Sequence, residues 1–514
     1  MSAGNSILFF LAGLALAQSI CFIILRNRRD ASDKGRPREF HQTHSIPIPR
    51  IGGLGLAIPF SVIYLFCVLV PSSLWRPTHE EHVLVLASLG MFGLGLWDDF
   101  KALGAKRKLC GQIIIAALIW YFGLRIQEFK SPISGLTFDL GLWGFPLTLL
   151  WIVTFTNLIN LIDGIDGLAG GVAIMLLGLL AYLNLERGAS FSLTVCLGMI
   201  GAIIGFLHFN FPPASIHMGD GGAYFLGCLI SLVSLASAHK GTVFGALIAP
   251  IIALGLPILD AFMTISRRAL QGLPIFRADR KHLHHRLVDS GLDKTKALFV
   301  LYGLSSLFLL MALVAFLTHG RAIGILVGGC FVVVLFSLRF FKFTREWFDP
   351  LRIVRQHLLL RKETRYVLTL CRWLEMEAHL AHSFPALWAD YCFLCKKLRY
   401  SRVVLHFRDG TDVQYVAPGG EKSEASGLIS KRYDLPFGNL HAILFEANST
   451  EVPLNQLEHV SELAVEALIN ALSHWQRRSR IPSKFSANTF KPGSTLDGSA
   501  PMNLPPLVEG DTTL

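Results

Sequence analysis

The sequence predicts an all-α polytopic membrane protein with about eleven transmembrane helices, a small cytosolic α+β C-terminal domain and a disordered tail. Hydrophobic residues make up 52% of the 514 residues and charged residues 16%, against roughly a quarter charged in an average soluble protein. Mean hydropathy is +0.50, and the first two thirds hold apolar stretches long enough to cross ~30 Å of hydrocarbon as helices. The composition therefore excludes an ordinary soluble enzyme.

Eleven apolar stretches define a transmembrane domain over residues 1–340. They lie at 6–25, 52–70, 82–97, 110–124, 143–160, 168–184, 191–211, 221–239, 243–266, 297–317 and 321–339. The first is followed by Arg26, Arg28 and Arg29 and not by a small-residue cleavage site. We therefore expect it to remain as an anchor and not to be removed as a signal peptide.

Lysine and arginine are unevenly distributed between the loops. The loops after the first, third and ninth stretches are rich in these residues, and such loops stay on the cytoplasmic side of a membrane. This places the N-terminus outside and everything after residue 340 inside. Because the cations do not form one basic face, the net charge of +11 indicates topology in a lipid bilayer, and we expect no nucleic-acid partner.

The composition changes near residue 340. Alternating runs at Val403–Phe407 and Ala442–Phe445 predict strands, and Leu454–Trp475 has helical periodicity. Residues 341–480 are therefore interpreted as a cytosolic α+β domain of unknown role. Residues 481–514 are rich in Ser, Pro, Gly, Asn and Thr, which predicts a disordered tail.

Polar residues that are costly to place near lipid gather in four places, all on the predicted cytoplasmic face. They are Asp98 and Asp99 at the end of the third span, Asn157, Asn160, Asp163 and Asp166 at the end of the fifth, Asp220 at the start of the eighth, and His282, His284, His285 and Arg286 after the ninth. Since the topology was assigned from Lys and Arg alone, this agreement predicts one shared site.

The adjacent carboxylates Asp98 and Asp99 cannot point the same way on a helix. We expect one to face the site while the other caps or orients it, with a solvated acidic helix end as the alternative. Lys106 and Lys108 follow closely, and cations beside acids suit a phosphate together with its metal. Binding of anionic lipid headgroups is the other explanation of these lysines.

The other acidic motifs suit a metal and phosphates. Asn160, Asp163 and Asp166 are spaced by three and lie on nearly one face if the helix continues. Such oxygen ligands suit Mg²⁺, with Mn²⁺ as an alternative, whereas hydrogen bonding between helices would be the purely structural role. Asp220 lies in a Gly-Asp-Gly turn where a helix begins, so the N–H groups there are expected to hold phosphate oxygens while Asp220 holds the metal.

The segment from Asp279 to Arg286 contains three histidines and three cationic residues. Zinc binding is an alternative, but no matching Cys or carboxylate spacing accompanies the histidines. Guanidinium and imidazole groups bind phosphate oxygens without a metal, so the segment favours a diphosphate clamp.

Together these motifs resemble the polyprenyl-phosphate N-acetylhexosamine-1-phosphate transferases of the glycosyltransferase 4 family, and most closely the bacterial undecaprenyl-phosphate N-acetylglucosamine-1-phosphate transferases. The resemblance covers roughly residues 1–320. It rests on His44–Gly53, Asp98-Asp99 with Lys106 and Lys108, Asn157–Gly171, Met218-Gly-Asp220 and His282–Arg286. The His-x-His-His form is similar to the GlcNAc branch and not to the branch that takes a muramoyl-pentapeptide donor.

The resemblance implies an enzyme that moves a sugar 1-phosphate from a UDP-N-acetylhexosamine to undecaprenyl phosphate, releasing UMP, at the start of a cell-envelope polysaccharide. It implies that Asn160 and Asp220 hold Mg²⁺, and that Asp163 and Asp166 shape the uridine and metal region. Asp98 or Asp99 would accept or steer the proton of the lipid phosphate. The implied substrate-binding residues are Arg50, Lys106, Lys108, Asn157, His282, His284, His285 and Arg286.

Two other classes compete with this interpretation. A transporter would carry acids in mid-span and paired repeats, whereas here the acids crowd at one face and no repeat is found. A CDP-alcohol phosphotransferase carries its aspartates in one compact run with an Ala-Arg element, which Asp163–Gly171 does not reproduce. The sequence leaves both a monomer and a homodimer open.

Overall fold

The computed structural model describes most of the chain. The described residues are 3–27, 48–70, 76–130, 137–186, 188–239, 250–271, 287, 291–318, 328–329, 350–417, 428–437, 440–449 and 454–479. The predicted domain boundaries at 340 and 480, the tail 481–514, and almost all of the predicted span 321–339 lie outside them. Two compact units can be distinguished, with the main division at Pro350.

The first unit is mostly helical. Its helices are α1 (Ala3–Arg26), α2 (Leu54–Leu69), α3 (His79–Phe100), α4 (Ala105–Tyr121), α5 (Gly144–Ile162), α6 (Leu168–Glu186), α7 (Ser190–Asn210), α8 (Gly219–His239), α9 (Gly255–Gln271) and α10 (Lys294–Leu317). Each predicted span up to 297–317 overlaps one of these helices. Seven described helices are long and apolar enough to cross a membrane, so the count of eleven stays a prediction.

A short hairpin interrupts the helices between α4 and α5. Strands β1 (Glu128–Lys130) and β2 (Thr137–Asp139) pair antiparallel, and a single 3₁₀ turn at Gly141–Trp143 leads into α5. The sequence analysis missed this hairpin because strands of three residues are too short to show a period-2 pattern.

Helix α3 illustrates how local sequence fixes the helix ends. Thr78 and Glu81 form a capping box, in which the Thr78 hydroxyl accepts from the Glu81 N–H and the Glu81 carboxylate accepts from the Thr78 N–H. From this start the helix runs to Phe100 without Pro. Asp98 and Asp99 therefore lie in its last turn.

Helices α1 and α7 pack closely because glycines remove the side chains between them. Gly201 and Gly205 of α7 are spaced as in a G-x-x-x-G motif. A Cβ added at Gly201 would overlap the carbonyl oxygen of Phe10, and one added at Gly13 would overlap that of Gly198. The two backbones therefore touch without intervening side chains.

Two described connections that carry predicted site residues, those before α2 and before α8, lie side by side. The segment before α2 pairs with the segment before α8 through three backbone hydrogen bonds. His217 N–H donates to the Pro49 carbonyl at 2.9 Å, Gly52 N–H to the His217 carbonyl at 3.0 Å, and Gly53 N–H to the Met218 carbonyl at 2.9 Å. Arg50 is thereby placed next to the turn that holds Asp220.

The second unit combines helices with a small antiparallel sheet. It contains α11 (Pro350–Glu377), α12 (Phe384–Lys397), β3 (Arg402–Phe407), β4 (Asp412–Val416), β5 (Leu428–Phe437), β6 (Leu440–Asn448) and α13 (Leu454–Ser479). The four strands form an antiparallel sheet in the order β4-β3-β6-β5. Its apolar core includes Trp388, Tyr391, Phe445 and Trp475.

Asp390 is a partly buried acid of this second unit. It lies on α12, where burial and the nearby Glu377 carboxylate raise its pKa to about 6. Asp409, in the turn between β3 and β4, has a pKa shifted in the opposite direction. Hydrogen bonds from Thr411 to its carboxylate lower this pKa. The two acids should therefore affect stability with opposite sign.

We predict that Gly201→Ala lowers the thermal unfolding midpoint of the detergent-purified protein. Overpacking of this kind costs about 1–3 kcal/mol, which outweighs the ~1 kcal/mol that alanine gains over glycine in a helix. Gly178→Ala on α6 is the control, since a Cβ there meets no atom within 4 Å. A midpoint for Gly201→Ala at or above that of Gly178→Ala would contradict the described packing of α1 on α7.

We predict that Asp390→Asn raises the unfolding midpoint of the second unit at pH 8 and leaves it unchanged near pH 4. The folded chain keeps the Asp390 proton to a pKa of about 6, whereas the unfolded chain loses it near ~3.9. The free energy of unfolding thus falls as pH rises through this window. Asp409→Asn should not stabilise at pH 8, and equal gains for the two variants would refute the account.

Candidate active site

The Asp99 carboxylate joins the end of α3 to the beginning of α8. One oxygen accepts from the Asp220 N–H at 3.0 Å and the other accepts from the Gly221 N–H at 2.8 Å. These N–H groups belong to the first turn of α8, where a helix lacks intrahelical acceptors and carries the positive end of its dipole. Asp99 therefore acts as a charged cap supplied by another helix.

This contact corrects one expectation. The N–H groups at the start of α8 were predicted to hold phosphate oxygens, but those of Asp220 and Gly221 are already bound by Asp99. A phosphate would have to displace a carboxylate that is better placed.

Glycine is required at two positions where α3 and α8 meet. Gly219 has a φ of +76°, which disfavours any residue with a side chain, and a Cβ there would overlap the Arg50 carbonyl oxygen. On α3, a Cβ at Gly95 would overlap the carbonyl oxygen of Asp220. The Gly-Asp-Gly turn therefore fits against α3 only in this form.

Lys108 joins two carboxylates that are far apart in the sequence. Its Nζ lies 2.5 Å from Asp98 Oδ2 and 2.7 Å from Asp220 Oδ2. The other Asp98 oxygen accepts from the Leu103 N–H at 2.7 Å, which fixes the turn between α3 and α4. Asp98 and Asp99 thus point in different directions, the first towards Lys108 and the second towards the backbone of α8.

The end of α5 adds amide and carboxyl groups to the same place. Asn160 Nδ2 donates to Asp220 Oδ1 at 3.1 Å, which leaves the Asn160 amide oxygen for another partner. Asp163 ends α5, and its burial raises its pKa well above the usual range, assisted by the negative charges of Asp220, Asp166 and Asp99. This crowding of acids indicates a shortage of positive charge around Asp163.

Asp166 lies on the far side of the turn after α5. It accepts from the Ala214 N–H at 3.3 Å and lies 3.5 Å from His217 Nδ1. The turn itself is held by Gly167, whose N–H donates to Asn210 and whose carbonyl accepts from Tyr302. Asp166 therefore belongs to the same end of the bundle, joined to the loop before α8.

The other predicted residues differ in their placement. Lys106 is exposed in the first turn of α4, and Arg50 lies beside Gly219 through its backbone. Asn157 Nδ2 donates to Gln112 Oε1 at 2.7 Å, so its amide is already engaged within the protein. His44, His282, His284, His285 and Arg286 lie outside the described residues.

Three residues of this region were not singled out from the sequence. His217 contacts Asp166, Gln112 pairs with Asn157, and Tyr224, one turn into α8, interacts electrostatically with Asp220 and Lys108. His217 and Tyr224 flank the Gly-Asp-Gly turn in the sequence, which is a usable signal. Gln112 lies in an apolar run, where a single amide is a weak signal.

The residues present are suited to a magnesium ion that also binds substrate phosphates. Among the described residues, no group of three or more His, Cys, Asp or Glu side chains forms a ready metal cage. Mg²⁺ typically uses one or two protein oxygens plus waters and phosphates. The Asn160 oxygen, Asp220 and Asp163 offer such hard oxygen donors, and Lys108 already lies against one oxygen of Asp220.

We predict that Asp99→Asn destabilises the protein by about 1–3 kcal/mol, the cost of leaving a buried N–H without an acceptor. The two N–H groups of α8 are bound by different Asp99 oxygens, and in Asn one of these oxygens becomes an NH₂ group, which donates and cannot accept. Asp293→Asn is the matched control, because Asp293 caps α10 through a single contact with the Thr295 N–H and Asn is an equally good cap. Equal unfolding midpoints for the two variants would show that the double contact does not matter.

Comparison with known proteins gives concordant matches. The glycosyl transferase family 4 model matches residues 82–238. A probable undecaprenyl-phosphate N-acetylglucosaminyl 1-phosphate transferase of Bacillus subtilis is 38% identical over 273 residues, covering 53% of this chain and 75% of that protein. A decaprenyl-phosphate N-acetylglucosaminephosphotransferase of Mycobacterium leprae is 28% identical, covering 54% and 75%.

A phospho-N-acetylmuramoyl-pentapeptide-transferase of Halalkalibacterium halodurans is 28% identical, covering 52% of this chain and 82% of that protein. The family match spans Asp98, Lys108, Asn160 and Asp220, which contact one another where α3 and α5 end and α4 and α8 begin. The chain therefore belongs to glycosyl transferase family 4, with the polyprenyl-phosphate N-acetylhexosamine-1-phosphate transferases.

Proposed function

We propose that the protein transfers GlcNAc 1-phosphate from UDP-GlcNAc to undecaprenyl phosphate, releasing UMP and forming undecaprenyl-diphosphate GlcNAc. The observation that carries this proposal is the cluster in which Lys108 bridges Asp98 and Asp220 while Asn160 holds the other Asp220 oxygen. The relative with 38% identity, named for this activity, supports the choice of sugar and lipid.

The reaction brings two anionic phosphates together. An oxygen of the lipid phosphate attacks the phosphorus that carries the sugar, and the bond from that phosphorus to the UMP oxygen breaks. Such transfers depend mainly on positioning and on compensation of negative charge. A lipid phosphate with a second pKa near ~6 is already largely ionised at pH 7, so the site does not depend on a strong general base.

Each side chain then has a role that follows from its contacts. Lys108 supplies positive charge between Asp98 and Asp220. Asp98 orients the Lys108 ammonium group and the turn that follows α3, while Asp99 fixes the start of α8. Asp166 and His217 line the adjoining loop, where the uridine of the donor would lie.

The proposed cofactor is Mg²⁺, with Mn²⁺ as the alternative. Asn160 and Asp220 would hold it, with Asp163 nearby, and it would neutralise charge on the donor diphosphate. Asn160 binds Asp220 through its NH₂ group, so its amide oxygen is not used in that hydrogen bond. The carboxylates of Asp220, Asp166 and Asp99 interact electrostatically with Asp163, and this concentration of acids favours a cation there.

We propose that the reaction takes place at the cytoplasmic face of the membrane. In the inner membrane of a bacterium, the Lys- and Arg-rich loops favour a cytoplasmic site, which suits a donor made in the cytosol. The histidine segment at 282–286 would reach the same face and grip the diphosphate. The polymer started by this step is a cell-envelope polysaccharide.

The function can be tested with purified protein, undecaprenyl phosphate and Mg²⁺, scoring UMP release with each UDP-sugar in turn. The panel should contain UDP-GlcNAc, UDP-GalNAc and UDP-MurNAc-pentapeptide, because relatives named for the last substrate also match. We expect release with UDP-GlcNAc, only when the lipid is present and only without EDTA. Lipid-independent release would indicate a hydrolase, and a preference for the pentapeptide donor would overturn the proposed sugar.

We predict that Asp220→Asn lowers UMP release at least about 100-fold, comparable to the loss of one electrostatic contact in other enzymes. Asp139→Asn is the matched control, since Asp139 is exposed on β2 at the other end of the unit and caps the Gly141 N–H. Circular dichroism and unfolding midpoints would establish that both variants fold. Wild-type turnover by Asp220→Asn would remove Asp220 from the site.

A further inference from the structure

We propose that Gln112 is a positioning residue for the transferase reaction. It acts by fixing the axial position of α4 relative to α5 through its hydrogen bonds with Asn157. The proposal rests on the function given above and assigns Asn157 to the same positioning role. Gln112 Nε2 donates to Asn157 Oδ1 at 3.4 Å, and Asn157 Nδ2 donates to Gln112 Oε1 at 2.7 Å. Each amide thus serves the other as donor and acceptor.

The pair lies directly beneath the charged cluster. Gln112 is four residues after Lys108 on α4, and Asn157 is three residues before Asn160 on α5. Residues three or four apart are neighbours on one face of a helix. Lys108 and Asn160 bind the two oxygens of Asp220. Helices α4 and α5 therefore each contribute one residue to the charged cluster and one residue to the amide pair.

Apart from Lys108 and Gln112, helix α4 packs on α3 and α5 through apolar contacts. Its buried residues are Gln112, Ala116 and Ile119, and Gln112 is only 1% exposed. Small apolar contacts of this kind define an axial position weakly, because sliding exchanges one apolar contact for another. Sliding would leave the buried Gln112 amide without its partner, at a cost of about 1–3 kcal/mol, whereas the exposed Asn157 amide also donates to the Val153 carbonyl.

The consequence for the reaction concerns the Lys108 ammonium group. It is 2.5 Å from Asp98 and 2.7 Å from Asp220, so a shift of α4 by about 1 Å would break one contact or the other. Displacements of that size in an active site cost up to about 100-fold in rate. Gln112 contacts Asn157 and not this cluster among the described residues, so its effect is transmitted by α4.

The test compares Gln112→Leu, Asn157→Leu and the double variant in the UMP release assay. Leucine removes the amide in each single variant: Asn157→Leu leaves the buried Gln112 amide unpaired, whereas Gln112→Leu releases the exposed Asn157 amide, which keeps its bond to the Val153 carbonyl. We expect kcat to fall about 10- to 100-fold with the KM for UDP-GlcNAc within about twofold. The double variant should recover much of the loss seen in Asn157→Leu, because it leaves no buried amide unpaired.

Asn184→Leu is the matched control. Asn184 is fully buried on α6 and accepts a hydrogen bond from Ser237 at 3.1 Å near the opposite end of the bundle. This variant should lower the unfolding midpoint and leave kcat unchanged. If kcat falls in step with the midpoint for all variants, the amide pair is merely structural.

The outcomes separate the two proposals. Absence of wild-type turnover overturns the proposed function, and this inference with it. Wild-type turnover together with normal kcat in Gln112→Leu overturns this inference alone. If the double variant is as inactive as Asn157→Leu, Asn157 binds substrate directly and the positioning role is wrong.

Discussion

The arrangement of the site depends on the contact between the Asp99 carboxylate and the first N–H groups of α8. This contact ties the end of one helix to the beginning of another that lies 120 residues further along the chain. It places Asp98 and Asp220 side by side with Lys108 between them. The helix dipole favours a carboxylate at this position, so the same interaction positions the backbone and disperses part of the negative charge.

Close backbone contact is the second requirement. The approach of α3 to α8 needs glycine at Gly95 and Gly219, and the approach of α1 to α7 needs it at Gly13 and Gly201. In a bundle surrounded by lipid, helices gain little from apolar burial alone and depend on such packing. A rigid bundle holds the carboxylates at fixed distances, so the cost of crowding them is met when the protein folds and not during the reaction.

Part of the fold and of the site could be predicted from the sequence, and the rest could not be predicted for physical reasons. Long apolar runs such as 191–211 define helices by themselves, and polar residues at their ends are conspicuous because lipid excludes them. Asp98 and Asp99 make different contacts because their side chains point in different directions, and sequence spacing does not predict side-chain direction. Gln112 and Asn157 pair across two helices 45 residues apart, and nothing local to either residue indicates its partner.

The central claim is that these distant residues hold a cation and the phosphates of a nucleotide sugar at this end of the bundle. Cys110 is exposed two residues after Lys108, so a nitroxide placed there, with the other eight of the nine cysteines replaced by alanine, reports on a nearby paramagnetic ion. The account predicts that Mn²⁺ with UDP-GlcNAc broadens this nitroxide spectrum and that Asp220→Asn abolishes the broadening. Equal broadening of a label at position 139, or none at Cys110, would contradict it.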